Sequence, residues 1–141
     1  MESRFKEWVY IEGLMQSAYH EAALKMNLSD SEFWILYVFN FHQEGCKQSA
    51  LYKEACLTKS TVNSAIRKME QKDLLYLTPG EGRNTMVFLT EKGRGLMEDT
   101  VYKVIQIENT IYDTWTPEEQ KLFMKLNCDF AEKLRDKIKE L

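Results

Sequence analysis

The strongest constraint on the fold is a change of hydrophobic period in the middle of the chain. Residues 58–72 have apolar side chains at the spacing of a helix that is buried on one face, and these are Val62, Ile66 and Met69. Residues 74–77 and 85–89 are instead β-branched and aromatic, as in strands, and the turn-rich residues 79–84 join them. The pattern predicts a short helix at about 48–55, a longer helix, and at once a two-stranded hairpin.

The polar face of the predicted helix 58–72 favours contact with DNA. It is short-chained and cationic, and it has no Asp or Glu before Glu70. Ser, Thr, Asn and Arg side chains contact base edges or phosphates in the major groove. We therefore predict DNA contacts by Lys59, Ser60, Thr61, Asn63, Ser64 and Arg67, and by Arg83 near the hairpin tip.

The distribution of charge agrees with a polyanionic partner. The net charge is −3, but residues 47–94 hold nine Lys or Arg and five Asp or Glu, which is a local charge of +4, and the remaining residues carry −7. A basic middle between acidic ends is typical of a nucleic-acid-binding module whose flanking segments have another role. Lys59 and Ser60 are predicted to contact phosphates, and Arg83 the DNA backbone or the minor groove.

Two helical patterns precede this module. Residues 3–27 have a broad apolar stripe. Ser29 and Glu32 then form a capping box at the start of a second helix, which is apolar nearly all round to about His42 and which Gly45 is predicted to end. A helix with so few polar side chains belongs at the centre of the fold.

Two further helical patterns follow the hairpin. Thr90 is predicted to cap a single helix over about 91–114. Thr116, with Pro117 directly after it, starts a last helix that runs to the chain end with a Leu/Phe stripe. A small winged domain cannot cover both this stripe and the stripe at 3–27, so we predict a homodimer. The predicted dimerisation residues are Phe5, Trp8, Leu122, Leu126, Phe130, Leu134 and Ile138.

Together these patterns predict a mainly α protein with a small β-hairpin wing. The expected architecture is a winged helix-turn-helix with long N- and C-terminal dimerisation helices. The predicted domains are a dimerisation helix at 1–28, a DNA-binding domain at 29–95 and dimerisation helices at 96–141. In the middle domain the recognition helix covers about 58–72 and the wing about 74–90. One recognition helix per subunit predicts a palindromic operator in double-stranded DNA.

The chain resembles the MarR family of bacterial transcription regulators. The resemblance rests on TKSTVNSAIRKME at 58–70, Leu74-Leu75, Glu81-Gly82-Arg83 and Leu89-Thr90-Glu91-Lys92-Gly93. It implies a dimeric DNA-binding regulator, which we expect to act as a repressor that a small molecule releases. Cys56 and Asp73 stand where the family usually has glycine, and Asp can adopt a left-handed backbone at modest cost.

The aromatic residues of the first two helices allow two interpretations. Aromatic side chains at helical spacing form part of a core more often than they line a ligand cage. They are also numerous enough here to line a pocket for a small aromatic ligand. The predicted pocket residues are Tyr19, Trp34 and Tyr37.

Other functional classes receive little support from the sequence. No catalytic set of residues is recognisable, and two histidines without a Cys or acidic cluster predict neither a metal site nor a cofactor, so we expect no enzyme. Three cysteines argue against a disulfide framework, and Cys56 is expected to fill a small apolar space. Without a signal peptide or an apolar membrane span, a cytoplasmic location is expected.

The alternative function is a winged-helix module for protein–protein contact that does not bind DNA. Salt-sensitive binding to duplex DNA would separate the two functions.

Overall fold

The computed structural model describes residues 1–80 and 84–141, and both the helices and the wing strands of the sequence prediction are present. Its elements are α1 (Lys6–Lys25), α2 (Asp30–Phe39), β1 (Cys46–Lys47), α3 (Gln48–Glu54), α4 (Lys59–Gln71), β2 (Leu75–Pro79), β3 (Thr85–Leu89), α5 (Glu91–Asp99), α6 (Val101–Tyr112) and α7 (Pro117–Ile138). The predicted fold class, a mainly α winged helix-turn-helix with long terminal helices, is confirmed. The chain divides into two compact units, Met1–Val104 and Ile105–Leu141.

Helix α2 lies in the core of the first unit, as predicted. Ser29 Oγ accepts a hydrogen bond from the Glu32 backbone N–H at 3.1 Å, and the Glu32 carboxylate accepts one from the Ser29 N–H at 3.3 Å. This capping box starts the helix where the sequence predicts it. The buried apolar side chains of α2 are Phe33, Ile35, Leu36, Val38 and Phe39.

The predicted end of this helix is wrong. Helix α2 ends at Phe39, and Gly45 lies several residues later, where its N–H donates to the His42 carbonyl at 2.9 Å. Gly45 has a φ of +90°, and a Cβ there would lie 2.3 Å from the Phe88 ring. Glycine is therefore needed to turn the chain into β1 beneath that ring, not to end the helix.

The wing is a three-stranded antiparallel sheet in the order β1-β3-β2. The predicted hairpin pairs Leu75 with Leu89 at one end and Pro79 with Thr85 at the other. The third strand, β1, was not predicted, because its two residues are too few to show an alternating pattern. It pairs Cys46 with Val87 and so joins the start of α3 to the wing.

The single helix predicted over about 91–114 is interrupted. Helix α5 ends at Asp99 and α6 begins at Val101, because Thr100 has a non-helical backbone with φ −123° and ψ −81°. The buried Thr100 hydroxyl donates to the Leu96 carbonyl at 2.5 Å. The apolar spacing continues through the break and neither Gly nor Pro marks it, so the sequence carries no signal for it.

The second unit contains α7 and most of α6. Thr116 Oγ1 accepts from the Glu119 N–H at 3.2 Å, and the Glu119 carboxylate accepts from the Thr116 N–H at 2.9 Å, which confirms the predicted start of the last helix. Gln120 Nε2 donates to the Tyr112 carbonyl at 2.9 Å and thereby connects the two helices. Helix α7 has no buried residue along its 22 positions.

Candidate nucleic-acid interface

The predicted recognition helix is α4, and its two faces differ in chemistry. The buried face consists of Val62, Ala65, Ile66 and Met69. The opposite side exposes Lys59, Ser60, Thr61, Ser64 and Arg67. Because α4 has no acidic residue before Glu70, it offers only hydroxyl, amide and cationic groups to a phosphate or a base edge.

The N-terminus of α4 is capped as predicted. The Thr58 side chain accepts from the Thr61 backbone N–H at 3.2 Å. The hydroxyls of Thr58 and Thr61 also lie 2.7 Å apart. The Thr61 side chain is therefore tied to the cap, whereas Ser64 and Arg67 lie further along the exposed face.

Asn63 differs from the other predicted contact residues because it is half-buried. Its Oδ1 accepts a 2.7 Å hydrogen bond from Nε2 of Gln48, the first residue of α3. Gln48 was not among the residues predicted to contact DNA. Its only signal in the sequence is a polar side chain at the start of the helix that precedes the recognition helix.

Two non-glycine residues adopt left-handed backbones at the ends of these helices. Cys56, between α3 and α4, has a φ of +53°, and Asp73, between α4 and the wing, has a φ of +58°. The prediction that Asp73 takes a left-handed conformation is confirmed. The prediction that Cys56 fills a small apolar space is wrong, because its side chain is exposed and the backbone turn itself decides its position.

Hydrogen bonds hold the junction between the recognition helix and the wing. The Thr90 hydroxyl donates to the Asp73 carbonyl at 2.6 Å, and Lys92 Nζ donates to the Lys72 carbonyl at 2.8 Å. A Cβ on Gly93 would lie 1.8 Å from the Leu74 carbonyl oxygen. The Thr-x-x-Gly motif therefore closes α5 against the end of α4 and orients the wing.

The cationic side chains of the interface differ in how far a neighbouring acid neutralises them. Lys72 Nζ lies 3.3 Å from the carboxylate of Glu32, a residue that is itself buried. This ion pair partly neutralises Lys72 and connects the end of α4 to the start of α2. Lys59 and Arg67, on the exposed face, contribute more directly to the local field.

The wing tip lies outside the described residues. Arg83, the predicted wing contact, belongs to residues 81–83, and its role stays a prediction from the sequence. On the described side of the tip, the Gly80 N–H donates to the Asn84 carbonyl and brings the two strand ends together.

The predicted dimerisation residues lie at the surface of the single chain. Phe5 is about half exposed, and its ring contacts Trp8 edge to face at 6.2 Å. On α7, Leu122 and Leu126 expose 54% and 55% of their surfaces, and Leu134 and Ile138 are also exposed, whereas Phe130 is half-buried. Contiguous exposed apolar side chains of this size are typical of an interaction surface.

The predicted pocket residues are neighbours in the first unit. The ring centroids of Tyr19 and Trp34 are 5.0 Å apart, and those of Trp34 and Tyr37 are 5.4 Å apart. All three side chains are half-buried. They form one aromatic surface on α1 and α2 that extends from the fully buried Phe33 toward the exposed Phe41.

Both histidines form hydrogen bonds with carboxylates. His20 Nδ1 lies 2.9 Å from the Asp30 carboxylate, and His42 Nε2 lies 2.5 Å from Glu54 Oε2. His20 is exposed, whereas His42 is half-buried. These contacts connect α1 to α2 and the end of α2 to α3.

The three cysteines are free. Burial raises the pKa of the Cys46 thiol to about 11, and the negative charge of Glu54 adds to the shift. The pKa of Cys128 is also raised, first by its hydrogen bond with Glu132. Both groups are therefore thiols at neutral pH, the less reactive form.

Comparison with known proteins agrees with this geometry. The family model described as "MarR family" matches residues 28–82, which include α2, both DNA-binding helices and the start of the wing. Over these residues the chain is similar to the MarR family. Among the curated relatives is the uncharacterized HTH-type transcriptional regulator YwhA of Bacillus subtilis (strain 168). It is 24% identical over 114 residues, which cover 79% of this chain and 81% of YwhA.

Solved structures show that the MarR-type fold extends over nearly the whole chain. NMB1585, a MarR family regulator from Neisseria meningitidis, has a TM-score of 0.83 at 18% identity, with 99% of each chain covered. MepR of S. aureus, in its complex with DNA, has a TM-score of 0.74 at 20% identity and covers 95% of this chain and 99% of its own. NadR in complex with 4-hydroxyphenylacetate has a TM-score of 0.74 at 16% identity, with 93% and 94% covered. Among the described residues of this chain, no helix has the length and apolar composition that crossing a membrane requires.

Proposed function

We propose that this chain is a homodimeric repressor of the MarR family that binds an imperfect palindrome in double-stranded DNA. The observation that carries the proposal is the exposed, acid-free face of α4, which is rigidly supported by a buried apolar face and by the Thr58 cap. A helix of this kind, followed directly by a wing, has the shape and the chemistry to enter the major groove. The solved DNA complex of the similarly folded MepR supports DNA as the partner.

The proposed contacts divide into two kinds. Asn63, Ser64 and Arg67 occupy positions i, i+1 and i+4 of α4 and read base edges. Lys59 and Ser60, at the N-terminus of the helix, bind phosphate, and Thr61 supports them through the cap. Arg83 is proposed to reach the backbone or the minor groove, on the basis of its position in the sequence alone.

Dimerisation is proposed to use the exposed apolar residues of both units. Phe5 and Trp8 near the start of α1, and the stripe of α7, would become buried against a second copy. Accordingly, residues 1–28 and 96–141 are proposed to form the dimer and residues 29–95 the DNA-binding domain. Two recognition helices related by a two-fold axis require half-sites roughly 10 bp apart. Because the target is chromosomal DNA, the proposed place of action is the cytoplasm.

A small aromatic molecule is the proposed effector. The half-buried rings of Tyr19, Trp34 and Tyr37 offer stacking surfaces and two phenol hydroxyls. The bound 4-hydroxyphenylacetate in the similarly folded NadR supports a ligand of this chemical class. A ligand that binds more tightly to a dimer conformation whose recognition helices do not fit the half-sites would shift the population toward that conformation and release the operator.

Selection of binding sites from random duplexes tests this function. We expect imperfect palindromes to be enriched, and we expect the DNA upstream of the protein's own gene to shift in a gel. Affinity should fall steeply with salt, because phosphate contacts release counterions. Enrichment of unpaired half-sites would contradict the dimer, and no enrichment with no salt-sensitive binding would favour the protein–protein module instead.

A further inference from the structure

One hydrogen bond joins the two DNA-binding helices through their side chains. Gln48 Nε2, at the first residue of α3, donates to Asn63 Oδ1 on α4 at 2.7 Å. Both residues are half-buried, so the contact lies between the helices while part of the surface of Asn63 stays accessible. The nearby hydroxyls of Thr58 and Thr61 pair with each other at 2.7 Å and do not take part in it.

This contact couples the orientation of the Asn63 amide to that of the Gln48 amide. A primary amide presents an acceptor oxygen on one side and donor N–H groups on the other, and a half-turn of its terminal torsion exchanges them. In the structure Gln48 donates through Nε2 and Asn63 accepts through Oδ1. A reversed Asn63 amide would bring two donors together and lose the hydrogen bond unless the Gln48 amide reversed with it.

We propose that Gln48 is a positioning residue for base recognition, acting through Asn63. The proposal rests on the proposed DNA-binding function and adds a prediction about specificity. With Oδ1 held by Gln48, Asn63 directs its Nδ2 donors toward the groove. It then favours a base pair that presents an acceptor, such as purine N7 or guanine O6, over one that presents the N4 donor of cytosine at that point.

The experiment uses the operator obtained by site selection. Dissociation constants are measured for that operator and for duplexes that carry each single base-pair change, with the full-length wild-type chain, Gln48→Ala, Asn63→Ala and the double variant. Gln71→Ala is the matched control, because it removes the same side chain from the exposed end of α4. A thermal melt of each variant records whether it remains folded.

At the base pair where Asn63→Ala loses discrimination, Gln48→Ala should lose about fivefold or more of it, the lower end of what a base contact contributes. The double variant should lose no more than Asn63→Ala alone, since both changes remove one coupled unit. Binding to random DNA and discrimination at the other base pairs should stay at the wild-type level, as they should throughout for Gln71→Ala.

Gln48→Glu is a sharper test because a carboxylate only accepts hydrogen bonds. The Asn63 amide should then turn its Nδ2 toward the carboxylate and its Oδ1 toward the groove. The preference at this one base pair should shift toward bases that present a donor, such as cytosine N4 or adenine N6. The added negative charge weakens binding to every duplex. The readout is therefore the ratio of the dissociation constants for two duplexes, because the general loss of affinity cancels in that ratio.

The outcomes separate this proposal from the proposed function. If the wild-type chain selects no sequence, the proposed function fails and the positioning role fails with it. If the wild-type chain selects an operator but Gln48→Ala and Gln48→Glu keep all of its ratios, only the positioning role is overturned. A uniform loss of affinity with unchanged ratios would likewise show that Gln48 supports the fold and not the recognition of a base.

Discussion

Helices α2 and α7 both carry many large apolar side chains, but those of α2 are mostly buried and those of α7 are not. Six of the ten residues of α2 are buried, whereas none of the 22 residues of α7 is. Helix α2 is covered by α1, α3 and α4. On helix α7, Leu122 and Leu126 remain exposed. The difference teaches that packing within its own unit buries the apolar side chains of α2, whereas those of α7 stay exposed in the single chain, where a second copy is proposed to cover them.

The largest effect should come from the covered helix. Phe33 is fully buried in α2, and Phe33→Ala should lower the free energy of unfolding by about 3–5 kcal/mol, because it removes apolar contacts and leaves a cavity. Phe41→Ala is the control, since that ring is 66% exposed, and it should cost at most about 1 kcal/mol. Equal losses in urea denaturation would contradict the contrast between buried and exposed apolar residues.

The next effect concerns the uncovered helix. Leu126→Asp places an unpaired charge in the proposed dimer interface and should weaken dimerisation by ~100-fold or more. Sedimentation at micromolar concentration should change from twice the chain mass of 16.7 kDa to the mass of one chain. Cys128→Asp is the control, because it adds the same charge about 200° around the helix from Leu126 and should stay dimeric. A wild-type chain that sediments as a monomer would overturn the proposed dimer.

A third surface, the polar face of α4, is exposed and is the proposed DNA contact. Arg67→Ala should reduce the binding free energy for the operator by about 1–3 kcal/mol and lower the ratio between the affinities for operator and random DNA. Arg83→Ala should weaken both DNAs by similar factors and reduce the salt slope by about one unit. Arg135→Ala, on the exposed surface of α7, is the control and should change neither. If Arg67→Ala keeps the specificity ratio while Arg83→Ala abolishes it, the two roles are reversed.

The smallest effect concerns the buried thiol of Cys46. The pKa of Cys46 is raised from 9.0 to about 11, so the folded chain keeps this proton where the unfolded chain loses it. Stability should therefore fall as pH rises from about 9 to 11, and this thiol should account for about 1 kcal/mol at pH 10. Cys46→Ala should lose stability less steeply in that window. Identical slopes for both proteins in denaturant titrations would contradict the burial of the thiol.

Patterns within single elements were predictable because short-range physics controls them. The capping boxes at Ser29 and Thr116 and the cap at Thr58 depend on residues three positions apart, and all three are present. The two paired strands of the hairpin follow from their β-branched and aromatic residues and from the turn-rich residues between them. The break at Thr100 was not predictable, since a buried backbone distortion there leaves the apolar period intact. The pairing of Cys46 with Val87 was equally hidden, because it joins segments distant in sequence.

By itself the sequence determined the order of the elements other than β1 and the break between α5 and α6, the acid-free face of α4 and the apolar stripe of α7, since each depends on side-chain chemistry at a fixed local period. Only the tertiary structure decided that Asn63 turns partly inward to Gln48, that Cys56 is exposed in a left-handed turn and that Lys72 is paired with Glu32. Those outcomes depend on which surfaces meet when helices pack. A helical period tells which side chains share a face, and packing alone tells what that face touches.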